Sequence, residues 1–478
     1  MEKRAAIPVT LPRDNPTPSY WQDPPDHIAD LRSTETLPEE ADVVIVGSGI
    51  TGAAVAWNLL QNNPKRTIVM LEARQACSGA TGRNGGHTKA ASYRSFMHNA
   101  QTHGTETAAK IARLELANIR AVHAFAREHH IPCDSHPCGT VDVVYDAAQW
   151  ELDLLAVKAM KDAMPGDDAS VYTIHTPDEV RDRYYCGKGG EEGVCGGISY
   201  EAGSISAYRF VVGLLKMCLE RGLNLQTNTP VLEVERLDGG DSGGGWKVQT
   251  ERGIIQTKSL VLATNGYTAR LVKRLQGIIV PLRGQITAQR PGQNMPHDGL
   301  PVSYSFIYKG GYEYMIPRPK DSRFEGDIVI GGGGVAAPEE GIQEFGTTDD
   351  TVINTPIGGY LHDSLPRYFG DSWGEDHPDG RIRKEWTGIM GYSADGYPFV
   401  GGMPGEEDLW MSCSFQGHGM VTCWMCAKAL VAMMEGRDDE DLRRWLPDAF
   451  RIREDRLGLT FTGDHLFHSD EAADLGSP

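Results

Sequence analysis

The sequence has no apolar run long enough to cross a bilayer as a helix, which takes about 20 residues. Its longest helical apolar stretch, 421–434, is too short and carries Lys428. The first residues are charged with no apolar segment behind them, so no secretory signal is expected, and the closing Leu-Gly-Ser-Pro is not a peroxisomal tripeptide. By default these absences point to the cytoplasm. Positive charge is also scarce. The 46 Lys and Arg against 65 Asp and Glu give a formal net charge of −19, which argues against nucleic acid and membrane surfaces as partners and favours solubility. The nine cysteines are odd in number and scattered, so no disulfide framework is expected. Cys423 and Cys426 have C-x-x-C spacing but fall in an expected helix, without a second ligand pair for zinc. They read as buried core thiols, as do Cys133 and Cys138, and no metal site is expected.

What is present is a chain of 478 residues, long enough for a large core and for two domains. Its most informative stretch is 41–87. Residues 42–46 form a short β-branched run suited to a strand buried on both faces of a parallel sheet. The run leads directly into Gly47, Gly49 and Gly52, spaced G-x-G-x-x-G. Residues 53–61 read as a helix whose small side chains allow close packing, and a second apolar run, 67–71, ends in Glu72. Each part has a job in binding a dinucleotide. Gly47 permits the tight turn, Gly49 lets a pyrophosphate approach the backbone, and Gly52 lets helix and strand pack closely. The helix N-terminus offers free N–H groups and a positive dipole end to the phosphates, and Glu72 can accept hydrogen bonds from a ribose diol.

Residues 77–87 read Cys-Ser-Gly-Ala-Thr-Gly-Arg-Asn-Gly-Gly-His. So many small residues suit backbone wrapped closely around a bulky, flat ligand, for which a nicotinamide enzyme has no evident need at this point. Taken together, Gly47-Ser48-Gly49, Glu72-Ala73 and Ser78-Gly79-Ala80-Thr81-Gly82-Arg83-Asn84-Gly85-Gly86 resemble the D-amino-acid-oxidase-like FAD family. Within it, the γ-glutamylputrescine oxidase-like branch looks closest, and Ser19-Tyr20-Trp21 also resembles a segment of that branch. The resemblance implies FAD as cofactor. It places Gly47, Ser48, Gly49, Ile50, Thr51, Gly52, Glu72, Ala73, Arg74, Ser78, Gly79, Ala80, Thr81, Arg83, Asn84, Gly85, Gly86 and His87 around it.

Residues 1–40 are Pro-rich and polar, which suggests an extended arm. Helical spacing over 95–130 ends at His129 and His130, which suit the negative end of the helix dipole. A strand is expected at 140–145, a helix at 150–164 and a loop-rich stretch at 186–203. A helix over 208–221 then leads to strands at 223–226 and 231–237, a glycine-rich turn at 238–245, and strands at 246–250 and 254–262. In the resembled family the position of Val231 meets the adenine through its backbone, and the turn Ala263-Thr264-Asn265-Gly266 passes near the nucleotide. Strands around 285–289, 312–316 and 327–330 mark a second unit, in which the Gly331–Gly334 run reads as a loop. Residues 384–401 resemble the family's Trp-x-Gly…Asp-Gly-x-Pro-x-x-Gly segment, bringing Gly388 and Asp395 to the cofactor. Gln416, Gly417, His418, Gly419 and Met420 turn into the last long helix, whose N-terminus in the family faces the flavin pyrimidine ring. There it would stabilise negative charge at N1 and O2 of the reduced ring.

The implied architecture is an α/β, Rossmann-like FAD-binding domain interleaved with an α+β, mixed-sheet substrate domain. The FAD domain takes 41–100, 201–270 and 385–440, the substrate domain 101–200 and 271–384, and 441–478 form a C-terminal tail. The family oxidises amines by moving hydride to flavin N5, with O2 as the inferred acceptor. Two departures narrow the substrate and the acceptor. Ile389-Met390 stands where glycine oxidase-like members carry a carboxylate-binding Arg, so an amine remote from any carboxylate fits better than an α-amino acid held in that way. Arg283 and Arg318 are the alternatives for binding an acid, or are surface arginines. Residues 327–331 lack the Lys that sarcosine oxidase-like members use towards oxygen. Residues 386–392 hold no Cys or His, so the FAD is expected to be mainly non-covalent, with His87 and His418 as the residues that could form a histidyl link. Tyr312 and Tyr314, in an aromatic stretch with Tyr304 and Tyr308, are the substrate-side candidates together with His418. A cation–π contact to an amine is their functional reading, and sheet packing is the plainer one. A dehydrogenase passing electrons elsewhere, a nicotinamide dehydrogenase and a flavin-binding redox module without turnover stay open as alternatives.

Overall fold

The structure is a computed structural model and describes residues 1–187, 193–237 and 244–462. Part of the expected 186–203 loop, most of the 238–245 turn and the end of the C-terminal tail lie outside the described residues. An eight-stranded sheet and a nine-stranded sheet form two layers systems that meet at the glycine turns.

The first sheet runs in the order Phe399–Gly402, Leu409–Cys413, Gly253–Leu262, Glu40–Val46, Ile68–Leu71, Asn224–Gln226. All its neighbours in that order are parallel except the first pair. Strand alternation divides Glu40–Val46 between two cores. Val43 and Ile45 face the helices Ile50–Asn62, Ala207–Glu220 and Cys423–Met434, while Val44 and Val46 face the meander that contains Val231, Trp246 and Val248. Cys423 and Cys426 lie buried on the last of these helices. Burial chiefly raises both thiols above their ordinary value, with the neighbouring Cys423 adding to the rise at Cys426.

The second sheet places Ile382–Ser393 at one edge, followed by Ile279–Gln289, Ile328–Gly331, Gly311–Pro317, Ser303–Tyr308, His136–Val144, Gly196–Ser204 and His87–Thr88. Its pairings are antiparallel except for Ser303–Tyr308 beside His136–Val144. The strand Gly196–Ser204 corrects the loop expected there. Its glycines look like a turn in sequence, but each is a packing necessity. A Cβ on Gly196 would lie 2.4 Å from the Trp150 ring, one on Gly197 2.7 Å from Val180, and one on Gly203 2.4 Å from His123 Nε2.

The helix expected over 95–130 is in fact two, Ser92–His103 and Thr105–Glu128, divided at Gly104, whose φ of +85° no ordinary helical residue adopts. The longer of the two packs Phe125 edge-on to Trp57 and against Trp424, on the helical face of the first sheet. The tail also does more than trail. After the short helix Glu440–Trp445 it returns to bury Arg456 against Asp395, with Nε–Oδ2 at 2.6 Å and Nη2–Oδ1 at 3.0 Å. Among the described residues no helix is long and apolar enough to cross a membrane.

Candidate active site

The first turn is built by crowding. Gly47 has φ +104°, and a Cβ there would lie 2.6 Å from Ala263 O; on Gly52 it would lie 2.0 Å from Gly47 O. On Gly49 it would meet Thr81 Oγ1 at 3.0 Å, the same atom that accepts from Ile50 N. Glu72 ties the turn to the second strand. Its Oε2 accepts from Ser48 N at 3.1 Å and Ser48 Oγ at 2.6 Å, and its Oε1 accepts from Arg74 N. The N–H groups of Thr51 and Gly52, in the opening turn of the helix, find no acceptor among the described residues, which leaves them for an anion.

The second turn is held by the N-terminal arm. Ser19 Oγ donates to Gly82 O at 2.7 Å, and Trp21 Nε1 donates to Asn84 O at 2.5 Å. Arg83 is buried and donates to Thr387 O at 2.6 Å and Thr17 Oγ1 at 2.8 Å; burial lowers its pKa to about 10. Arg74 forms a two-pronged pair with Asp350 at 3.0 and 2.9 Å. The third turn carries left-handed residues at Ser414, Gln416 and Gly417. Asn265 Oδ1 accepts from Ser414 N and Phe415 N, and Gln416 Nε2 donates to Ser393 Oγ at 2.7 Å. A three-residue 3₁₀ turn, Gly419–Val421, intervenes before the last helix, which therefore starts at Cys423, later than expected.

A single cavity of about 1340 Å³ opens between these turns. Gly47, Ser48, Gly49, Ile50, Thr51, Glu72, Ala73, Arg74, Gly79, Ala80, Thr81, Arg83 and Asn84 line it. So do Val231, Ala263, Thr264, Asn265, Gly388, Asp395, Gln416, Gly417, His418, Gly419 and Met420. Gly52, Ser78, Gly85, Gly86, His87 and Gly266 do not; they stand behind the lining. Gly85 and Gly86 leave room for Tyr314 and Ile205 O, and Gly266 for Met390 O. His87 Nε2 meets Ser303 Oγ at 2.7 Å, and burial keeps the ring well below its ordinary pKa. Asp395 reaches the cavity, but its carboxylate is engaged by Arg456.

Tyr312 and Tyr314, two apart on Gly311–Pro317, line the opposite part of the cavity, as do Tyr308, Tyr392 and His418. Tyr304 is fully buried and belongs to the core. His418 Nε2 lies 3.3 Å from Ala90 O, and burial holds its imidazole below its ordinary value. Arg283 and Arg318 are neither surface residues nor free. Arg283 pairs with Glu344 at 2.5 Å, and Arg318 pairs with Asp134 at 2.7 Å. Arg94 and Asp153, which the sequence did not single out, also line the cavity, and among the described residues Arg94 makes no ion pair. No local pattern marks either residue, since each is one polar side chain on an amphipathic helix.

A phosphate-ready helix N-terminus, an acidic strand end and a deep tyrosine-lined lobe in one cavity define a dinucleotide-dependent enzyme of small molecules. A model of the FAD dependent oxidoreductase (DAO) family matches residues 42–433, and the chain belongs to that family; its cofactor is FAD. It is 25% identical over 430 residues to the probable oxidoreductase OrdL of Rhizobium meliloti, covering 88% of this chain and 91% of that protein. It is 22% identical over 430 residues to γ-glutamylputrescine oxidoreductase of Escherichia coli, covering 85% and 86%. Among solved structures, glycine oxidase from Geobacillus kaustophilus superposes with a TM-score of 0.68 at 17% identity, over 87% of this chain and 99% of that one. These relatives are oxidoreductases, and this chain is an FAD-dependent oxidoreductase of the amine and amino-acid oxidase class.

Proposed function

We propose that the protein oxidises a primary or secondary amine in the tyrosine-lined lobe. When bound, FAD supplies the two-electron acceptor, taking at N5 the hydride of the C–H bond beside nitrogen, and O2 receives the electrons as H2O2. The amine becomes an imine, which water hydrolyses to a carbonyl compound and ammonia (from a primary amine) or a smaller amine (from a secondary one). The cofactor ligands are proposed to be the turn residues of 47–52, 72–74, 78–87, 263–266 and 416–420, with Val231, Gly388 and Asp395. The free amides of Thr51 and Gly52 would take the pyrophosphate. Tyr312 and Tyr314 would close around the substrate, excluding water and fixing the C–H bond; orientation of this kind contributes several kcal/mol, on the order of the effect of a positioned reactant. His418, whose imidazole pKa is lowered, can accept or donate a hydrogen bond at that lobe. The same reading includes non-covalent FAD, a division of the chain at the boundaries expected from sequence, and a cytoplasmic location, in keeping with the buried thiols of Cys77, Cys133, Cys186, Cys218, Cys413, Cys423 and Cys426.

The observation that carries this reading is the single cavity shared by the Gly47–Thr51, Arg83–Asn84 and Gln416–Met420 turns and by Tyr312 and Tyr314. An anaerobic panel of amines tests it, because a substrate bleaches the bound flavin; a panel without any bleaching contradicts it. A second acceptor in place of O2 is favoured by one feature. Ile328–Gly331 carries no Lys, and the nearby buried Lys89 is engaged by Asp142 and does not line the cavity. Reoxidation by air set against reoxidation by an artificial acceptor separates the two.

A further inference from the structure

The substrate lobe contains opposite charges that no protein group satisfies. Arg94 lies on Ser92–His103, lines the cavity and is exposed to it. Its guanidinium stacks over Tyr312 at 4.9 Å from the ring centroid and makes no hydrogen bond or ion pair with any described residue. No described residue fills its five donors, which are open to a ligand entering the cavity. Asp153 lines the same cavity from Ala147–Ala163 and is 2% exposed. Its Oδ1 accepts from Gln149 Nε2 at 2.9 Å, and its Oδ2 has no partner.

The neighbouring charges are already matched. Lys89 is paired with Asp142, whose other oxygen accepts from Tyr93 and Tyr200 at 2.8 Å each. Asp142 therefore has nothing left for Arg94. Arg94 and Asp153 feel each other's charge but are not in ion-pair contact. A ligand that entered with only a carboxylate would leave this interior with excess negative charge beside Asp153. One with only an ammonium would leave Arg94 unmatched. A ligand carrying both keeps the lobe neutral and fills both sites.

We propose that Arg94 and Asp153 form a two-point recognition subsite for a substrate bearing both a carboxylate and an ammonium group, with Arg94 holding the carboxylate over Tyr312 and Asp153 accepting the ammonium. The inference rests on the amine-oxidising reading and deepens it. It departs from the expectation, drawn from Ile389-Met390, that the reacting amine is remote from any carboxylate. The anion site has moved to a helix on the other wall of the lobe.

The test uses the FAD-loaded protein and amines matched in chain length, with and without a carboxylate. Anaerobic flavin reduction gives the rate and the half-saturation of each. Wild type should half-saturate at a concentration lower by about tenfold or more for the amino carboxylates, the size of a lost charge-assisted bond. Arg94→Gln should erase that preference by raising half-saturation for the carboxylated substrates, and Arg94→Lys should restore part of it. Asp153→Asn should raise the half-saturation for amino carboxylates. Retained flavin absorbance and an unchanged melting temperature check that the Arg94 variants keep the fold. If plain amines bleach the flavin as well as amino carboxylates do, or if Arg94→Gln keeps the preference, the subsite is wrong while the amine reading stands. If no amine bleaches it, both fall.

Discussion

At the residue scale, single atoms decide what the turns tolerate. Gly52 is the sharpest case, because an added methyl would sit 2.0 Å from a carbonyl oxygen of the same turn. Gly52→Ala should push the helix off the strand and empty the cofactor site, and purified protein should carry less than about a tenth of the wild-type flavin, as a shift of ~1.4 kcal/mol or more in binding requires. A flavin-to-protein absorbance ratio reads this directly, and a fully yellow variant would contradict it. Glu115 offers a second case. It is buried, accepts from Ser92 Oγ, and burial raises its carboxyl to about 8. A carboxyl whose folded value is raised adds stability that is complete below its unfolded value and is lost as the pH climbs towards 8. Glu115→Gln should therefore leave the melting temperature near pH 4 nearly unchanged and raise stability at pH 8, by on the order of a few kcal/mol. Equal melting shifts at the two pH values would contradict that assignment.

At the scale of elements, the parts flanking the fold do structural work that their composition conceals. The Pro-rich, polar arm reads as an extended arm or a surface wrap, and Thr17, Ser19 and Trp21 hold the Gly82–Asn84 turn. The tail looks like an appendage, yet Arg456 is 2% exposed and donates to both Asp395 oxygens. Arg456→Met should strand a half-buried carboxylate and cost about 3–5 kcal/mol in chemical denaturation, well above the 1 kcal/mol or so of an exposed pair. The strand–turn–helix–strand unit at 40–72 was legible because periodicity, glycine spacing and the acidic residue are all local in sequence. Gly196–Ser204 was not, because its three glycines are explained only by Trp150, Val180 and His123, which lie elsewhere in the chain. The break at Gly104 shows the same limit, since one glycine in a helical pattern does not reveal its sign of φ.

At the scale of the molecule, the two-sheet architecture and the cofactor were readable in sequence because three glycine-bearing segments keep their order along the chain. The substrate lobe was largely opaque. Tyr312 and Tyr314 could be named from an aromatic-rich stretch, but Arg94 and Asp153 come from two helices that meet only in the folded protein. Arg283 and Arg318 were plausible anion ligands by type and are excluded by partners more than 60 residues away, Glu344 and Asp134. The whole account depends on one cavity enclosing one FAD. The most direct measurement is therefore the absorbance spectrum of the purified protein before and after acid precipitation, with the supernatant flavin identified and counted. The account predicts a yellow protein that releases FAD in a one-to-one ratio with chain. A colourless protein that takes up no FAD, or a flavin retained by the precipitate, would contradict it.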